Sequence, residues 1–254
     1  MSSFDLVEVL VERDGTALLR LNRPPVNAIV IELLEEVTSA LRLLEEYGSA
    51  RAVVLTGSGP CFSAGLDLKV IPDYDRARQR ELVDSINRLL GRLYAFPKPT
   101  VAAVNGHAIA GGFFPVIACD WRVCVDAGCG LGLTEALAGL TFPVSCMELL
   151  WAELPGRAAR LLVLTGRTVS PAEALSMGVV DELRPPSELI TRAREKALEL
   201  GSLPPGGYAR LKRQLREAPL ARIESALSGG DPQLEAEWMT VEARAAAKGL
   251  LKGR

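Results

Sequence analysis

The chain has 254 residues, 48% of them apolar, with 29 basic and 31 acidic side chains and a net charge of −2. Such a chain buries a sizeable core in one large domain or two small ones, which excludes intrinsic disorder. Balanced charge argues against a nucleic-acid binder, which needs clustered Lys and Arg, and the lack of a run of about eighteen apolar residues argues against a membrane span.

In chain order, LVEVLVER alternates apolar and charged residues, Asp14-Gly15 turns, and TALLRLN continues, which predicts a β-hairpin. The opening residues lack the charged and apolar regions of a secretory signal, and the closing LLKGR matches no retention or peroxisomal address, so a cytoplasmic protein is expected. Leu33, Leu34, Val37, Leu41 and Leu44 share one face of a helix over residues 31–46. RAVVLTG reads as a buried strand, GSGPCFSAGLDL as a small-residue loop, and residues 77–94 as an amphipathic helix ended by Pro97 and Pro99. TVAAVNG is a second buried strand, GHAIAGG a second glycine loop, FFPVIACD a short buried helix and WRVCVD a strand. LGLTEALAGL carries a turn into a helix. Alternation of strand, loop and helix implies an α/β fold with largely parallel strands. After Val180 the pattern is helical, with a last helix over residues 233–251, and Pro204-Pro205-Gly206-Gly207 is the best candidate hinge.

The five cysteines are an odd set with no CxxC, and there is a single histidine, His107. Buried, inert thiols in a reducing compartment and no metal site are the reading. The glycine loops carry neither a complete dinucleotide fingerprint nor a P-loop, so no nucleotide cofactor is implied. FSAGLDL and AIAGG each follow a buried strand and open toward a helix. Together they can aim two backbone N–H donors at one oxygen, or they are ordinary tight turns.

Ser63 sits near a nucleophile-elbow pattern, with His107 as the only available base; a packed structural histidine is the simpler reading. Glu135 is the only carboxylate between Asp126 and Glu148. Apolar surroundings would raise its pKa into the range of a general base, or it is a first-turn helix residue capped by Thr134. Arg210, Lys212, Arg213 and Arg216 share a predicted helix and form either a solvated face or a phosphate attractor. Trp121, Trp151 and Trp238 read as packing residues.

Several segments together resemble the crotonase, or enoyl-CoA hydratase/isomerase, superfamily. They are LNRPPVNAI (21–29), VVLTGSGPCFSAGLDL (53–68), KPTVAAVNGHAIAGG (98–112), ACDWRV (118–123), LTEALAGL (133–140) and LTGRTVSPAEALSMGVVDEL (164–183). The resemblance implies a spiral of ββα units over residues 1–200, and a C-terminal helical region, 201–254, that packs homotrimers or dimers of trimers. It implies an acyl-CoA substrate, with coenzyme A as part of that substrate and no separate cofactor. It places oxyanion donors on Ala64 and Gly111, a loop-fixing role on Asp67, and the CoA moiety along Ala64, Gly65, Leu66, Asp67 and Leu68, with Gly112 also in contact. Lys212 is the residue in the basic helix to which a phosphate contact is assigned, on charge alone.

Hydratases of this superfamily use two glutamates. Here the first position is Phe114 and the second is Glu135, and FPVSCM stands where the hydratases are glycine-rich. A phenylalanine cannot activate water. One glutamate suits a proton shuttle, as in Δ3,Δ2-enoyl-CoA isomerases, with Phe113, Phe114 and Phe142 forming the acyl pocket. The alternatives are hydration or other thioester chemistry, marked by release of CoA or carbon dioxide, and a non-catalytic assembly module.

Overall fold

The alternating N-terminal segment forms β1 (Val7–Val11), paired antiparallel with β2 (Thr16–Leu21) so that Val7 lies opposite Leu21. Gly15 turns the chain at φ +89°, a left-handed conformation that a side chain would resist. The computed structural model describes residues 4–234 and 238–252. Helix α1 (Ile31–Glu46) buries the expected stripe of Leu33, Leu34, Val37, Leu41 and Leu44.

From there the chain repeats one device three times: a strand for a large sheet, a short strand for a small sheet, then a helix. β3 (Ala52–Gly57) and β4 (Cys61–Ser63) precede α2 (Arg76–Tyr94). β5 (Thr100–Val104) and β6 (His107–Ile109) precede α3 (Phe114–Ile117). β7 (Trp121–Val125) and β8 (Leu131–Gly132) precede α4 (Glu135–Ala138). β3 and β5 are buried at every position, which explains their unbroken apolar sequences. Asp75 starts α2 by accepting the Arg78 N–H at 2.8 Å.

The rest is mostly helical: α5 (Val144–Glu153), α6 (Gly156–Thr165), β9 (Thr168–Val169), α7 (Pro171–Ser176), β10 (Glu182–Arg184), α8 (Leu189–Gly201), α9 (Pro205–Leu215), α10 (Glu217–Gly229) and α11 (Val241–Lys252). The large sheet runs β1-β2-β3-β5-β7-β10, parallel except for the β1–β2 pair. The small sheet runs β4-β6-β8-β9, with β4, β6 and β8 parallel.

The sequence reading differs at three places. The glycine loops contain β4 and β6 of the small sheet, whose strands of two or three residues are too short to show a period of two. The Pro204–Gly207 segment is not a hinge: Pro205 opens α9, and the Tyr208 N–H donates to the Pro204 carbonyl at 2.9 Å. The last helix begins at Val241 rather than 233; a separate 3-10 turn covers Pro232–Leu234, and residues 235–237 lie outside the described residues.

Candidate active site

β4, β6 and β8 run side by side, so their C-terminal ends open at one place, the usual location of a ligand site in parallel sheets. β4 leads into Ala64–Leu66, β6 into Ala110–Gly111, and β8 into Thr134–Glu135. Gly65 lets the first two loops meet. Its φ is +80°, and a Cβ there would come within 2.7 Å of the Ala110 Cβ and 3.0 Å of the Gly111 nitrogen. Ala110 itself is held at φ +49°, a conformation that costs energy in a non-glycine residue.

Backbone bonding decides which N–H groups are free. The Ala64 N–H donates to the Val26 carbonyl at 3.0 Å, and the Gly65 N–H to Ser63 Oγ at 3.3 Å. Ala64 is therefore not the oxyanion donor expected of it. Leu66 forms a parallel bridge with Ile29, in which Ile29 donates to the Gly65 carbonyl at 2.8 Å and accepts from the Asp67 N–H at 3.0 Å. Both bonds belong to Ile29, so the Leu66 N–H faces the opposite edge, and among the described residues it has no acceptor. Gly111 lies in the first turn of the 3-10 segment Ala110–Phe113, where an N–H has no acceptor within its own turn. Leu66 and Gly111 carry the two available donors, and both residues line the cavity between the loops.

That cavity encloses about 480 Å³, within the range of small-molecule sites. Among the described residues, two carboxylates line it. Asp67 sits near the mouth, paired with the Arg23 guanidinium at 2.7 Å, and its Oδ1 accepts the Lys69 N–H at 3.0 Å. Arg23 also donates to the Ala28 carbonyl at 3.1 Å, so the pair fixes the loop. Glu135 lies inside, 8% exposed, at the first position of α4. Its Oε2 has no hydrogen-bond partner among the described residues. Burial pushes its carboxyl from 4.5 up to about 7, against smaller lowering effects of the Glu135 and Thr134 backbone N–H groups. Thr134 makes no side-chain cap, so Glu135 is not a capped first-turn residue. Phe114 and Phe142 close one wall edge to face, ring centroids 5.5 Å apart and planes at 69°.

Ala64, Leu66, Asp67, Leu68, Gly111, Phe114, Glu135 and Phe142 all line the cavity, but Gly65, Gly112 and Phe113 do not. Gly65 and Gly112 are packing glycines; a Cβ on Gly112 would come within 2.6 Å of Ser63 Oγ. Phe113 is fully buried on the other side of the turn. The serine hydrolase reading fails: Ser63 Oγ donates to the Asn27 carbonyl at 2.8 Å, and His107 Nδ1 accepts the Gly130 N–H at 3.0 Å. The Lys212 phosphate contact fails as well. Lys212 is buried and ion-paired with Asp120 at 2.8 Å, and burial lowers its pKa. Trp151 is exposed rather than packed.

Sequence reasoning missed Asn27. Fully buried at φ +50°, it donates to the Cys61 carbonyl at 2.8 Å and accepts the Arg23 N–H at 3.0 Å, binding the RPPVN turn to the donor loop. An Asn after a double proline was the available signal, because Asn tolerates left-handed backbone. It also missed Trp238, which donates to the Thr141 carbonyl at 3.0 Å and lines the cavity, and Lys69 at the mouth.

Comparison with known proteins agrees with this geometry. The profile of the enoyl-CoA hydratase/isomerase family matches residues 12–249. The chain is 35% identical over 215 residues to mouse mitochondrial enoyl-CoA delta isomerase 1, covering 83% of this chain and 74% of that one. The crystal structure of human mitochondrial delta3-delta2-enoyl-CoA isomerase superposes with a TM-score of 0.92 at 28% identity, covering 98% of both chains. An enoyl-CoA hydratase from Mycobacterium ulcerans superposes with a TM-score of 0.83 at 28% identity, covering 91% of this chain and 99% of that one. With ββα units, two meeting glycine loops and a match over nearly its whole length, the chain belongs to the enoyl-CoA hydratase/isomerase family and has its crotonase fold.

Proposed function

We propose that this protein is a Δ3,Δ2-enoyl-CoA isomerase in which Glu135 is the only proton carrier. The observation that carries the reading is the Glu135 carboxylate inside an apolar cavity, its Oε2 without a partner among the described residues, with Phe114 on the wall where a second glutamate would be needed to hold water. The substrate is a 3-enoyl-CoA. Glu135 removes a C2 proton, and the negative charge moves onto the thioester oxygen of a dienolate. The Leu66 and Gly111 N–H groups receive that charge; each such donor is worth roughly 3 kcal/mol. The protonated Glu135 then delivers the proton to C4, and the product is 2-trans-enoyl-CoA. One carboxyl serves both steps, and the aromatic wall keeps out the water that would add to the product.

The CoA chain runs over residues 64–69. Lys69, exposed at the cavity mouth, replaces Lys212 as the cation that meets its phosphates. Assembly as a homotrimer or a dimer of trimers belongs to the same proposal: α9 exposes Leu211 and Leu215, 68% and 84% accessible in the isolated chain. So does a cytoplasmic setting, to which five free cysteines with no structural disulfide are suited.

The test is a paired assay on purified protein. Trans-3-hexenoyl-CoA should gain conjugated-enoyl absorbance, while crotonyl-CoA should keep its absorbance. Hydration of crotonyl-CoA at a comparable rate would overturn the isomerase reading, and release of CoA or carbon dioxide would move the assignment to other thioester chemistry.

A further inference from the structure

The active site occupies the C-terminal edge of β4, β6 and β8. The N-terminal edge of the same strands carries a second cluster that the isomerase chemistry does not use. Cys61 begins β4, His107 begins β6, and Cys129 and Gly130 immediately precede β8. Cys124, near the end of β7, faces Cys129 across the loop of residues 126–128, with the two sulfurs 4.0 Å apart. Cys124 is buried, and Cys129 is partly open to solvent. The loop between them turns at Gly128, φ +78°, and nothing lies within 4 Å of where a Gly128 Cβ would be. The tip of the loop thus faces open space, and the two sulfurs are a further ~2 Å from disulfide distance.

We propose that Cys124 and Cys129 form a two-electron redox pair, with Cys129 the attacking thiol, Cys124 the resolving thiol and a hydroperoxide the oxidant. The Cys129 thiolate attacks the peroxide; an S–O bond forms, the O–O bond breaks, and water or an alcohol leaves. The Cys124 thiol then attacks the sulfenic sulfur of Cys129. The S–S bond forms, the S–O bond breaks, and the hydroxyl leaves with the thiol proton as water. Two electrons have passed from two thiols to one peroxide.

The division of labour follows from the surroundings. The contact between the two sulfurs, 4.0 Å apart, favours a thiolate on the more open Cys129 and disfavours one on the buried Cys124, lowering the pKa of the first and raising that of the second. Cys61, the third thiol nearby, is held: its S–H donates to the His107 carbonyl at 3.1 Å, and burial pushes its pKa up to about 11. In this proposal the inert-thiol reading gives way, for this pair, to facing thiols of unequal acidity and access.

The experiment is chemical and does not depend on the isomerase activity. The intact protein is treated with a few equivalents of hydrogen peroxide, alkylated, and cut before aspartate residues, which separates Cys124 from Cys129 at Asp126. The expected result is one reducible link between the two peptides, with Cys61, Cys119 and Cys146 fully alkylated. In Cys124→Ser the expected result is dimedone capture of a sulfenic acid on Cys129. Full alkylation of all five thiols after peroxide, a Cys61–Cys129 link, or no dimedone adduct in Cys124→Ser would each overturn the proposal.

Discussion

Glu135 and Asp120 are buried to a similar depth, 8% of the residue exposed in one and 9% of the side chain in the other. Their surroundings differ in kind. Asp120 Oδ2 accepts from the Thr100 N–H at 2.8 Å, Tyr208 Oη at 2.9 Å and Lys212 Nζ at 2.8 Å, and Oδ1 meets Arg216 at 2.9 Å. It joins β5 to α9 and to the start of α10, and both oxygens are engaged. Glu135 is pressed among apolar side chains with one oxygen unpartnered. A paired buried charge holds elements in place; an unpaired one stores free energy that a reaction can use. The C-terminal helices are anchored by the first kind of group and the proposed chemistry is carried by the second.

The largest break in that comparison is Glu135→Gln. The amide keeps the shape and removes the base, so kcat for double-bond migration should fall about a thousandfold, within the range set by losing a general acid–base. Acyl-CoA affinity should hold, because the carboxylate is absent from the CoA path. Asp120→Asn should do the reverse. It leaves Lys212 buried without its carboxylate and Arg216 with only Glu153, 3.5 Å away, a loss of about 3 kcal/mol, while kcat at low temperature stays near that of the parent. Thermal melts and steady-state kinetics on both variants check the pair. A catalytic defect in Asp120→Asn without a stability loss would erase the distinction.

The same contrast has a pH signature. The Glu135 carboxyl rises from 4.5 in the unfolded chain to about 7 in the fold, because burial penalises its charge. The folded state therefore binds the proton more tightly. That contribution is complete below about pH 4.5 and is lost as pH rises through 7, a difference of about 3 kcal/mol. Glu135→Gln should match the parent in stability near pH 4.5 and exceed it by about that amount at pH 8. The kcat/KM of the parent should rise with an inflection near 7. Denaturant melts at both pH values test the sign, and equal stability at pH 8 would mean that Glu135 is better solvated than its surroundings imply.

How far the site was legible follows the same physics. The periodic elements read directly from the chain, because β3, β5 and α1 bury faces that leave a pattern. Glu135 was legible because a single carboxylate stood among apolar neighbours. The donor was misplaced by two residues, on Ala64, because a motif names a loop but does not say which N–H the neighbouring Val26 and Ile29 backbone consumes. Lys212 was misread because charge spacing on a helix looks the same whether the face meets water or Asp120. Long-range partners decide both cases, and local sequence carries no record of them.

The smallest of the expected effects tests the meeting of the two glycine loops, and touches neither carboxylate. In Gly65→Ala the new methyl would press on the Ala110 Cβ at 2.7 Å and sit at φ +80°. The strained backbone costs about 1 kcal/mol. The loops must then part by several tenths of an ångström, which moves the Leu66 and Gly111 N–H groups off a shared oxygen. Donor strength falls steeply with such misplacement, so kcat should drop about tenfold. The pH inflection near 7 should not move, since Glu135 keeps its apolar surroundings. A shifted inflection with unchanged plateau activity would mean that the methyl perturbs the base and leaves the donors alone, and the pairing of Leu66 with Gly111 would then lose its support.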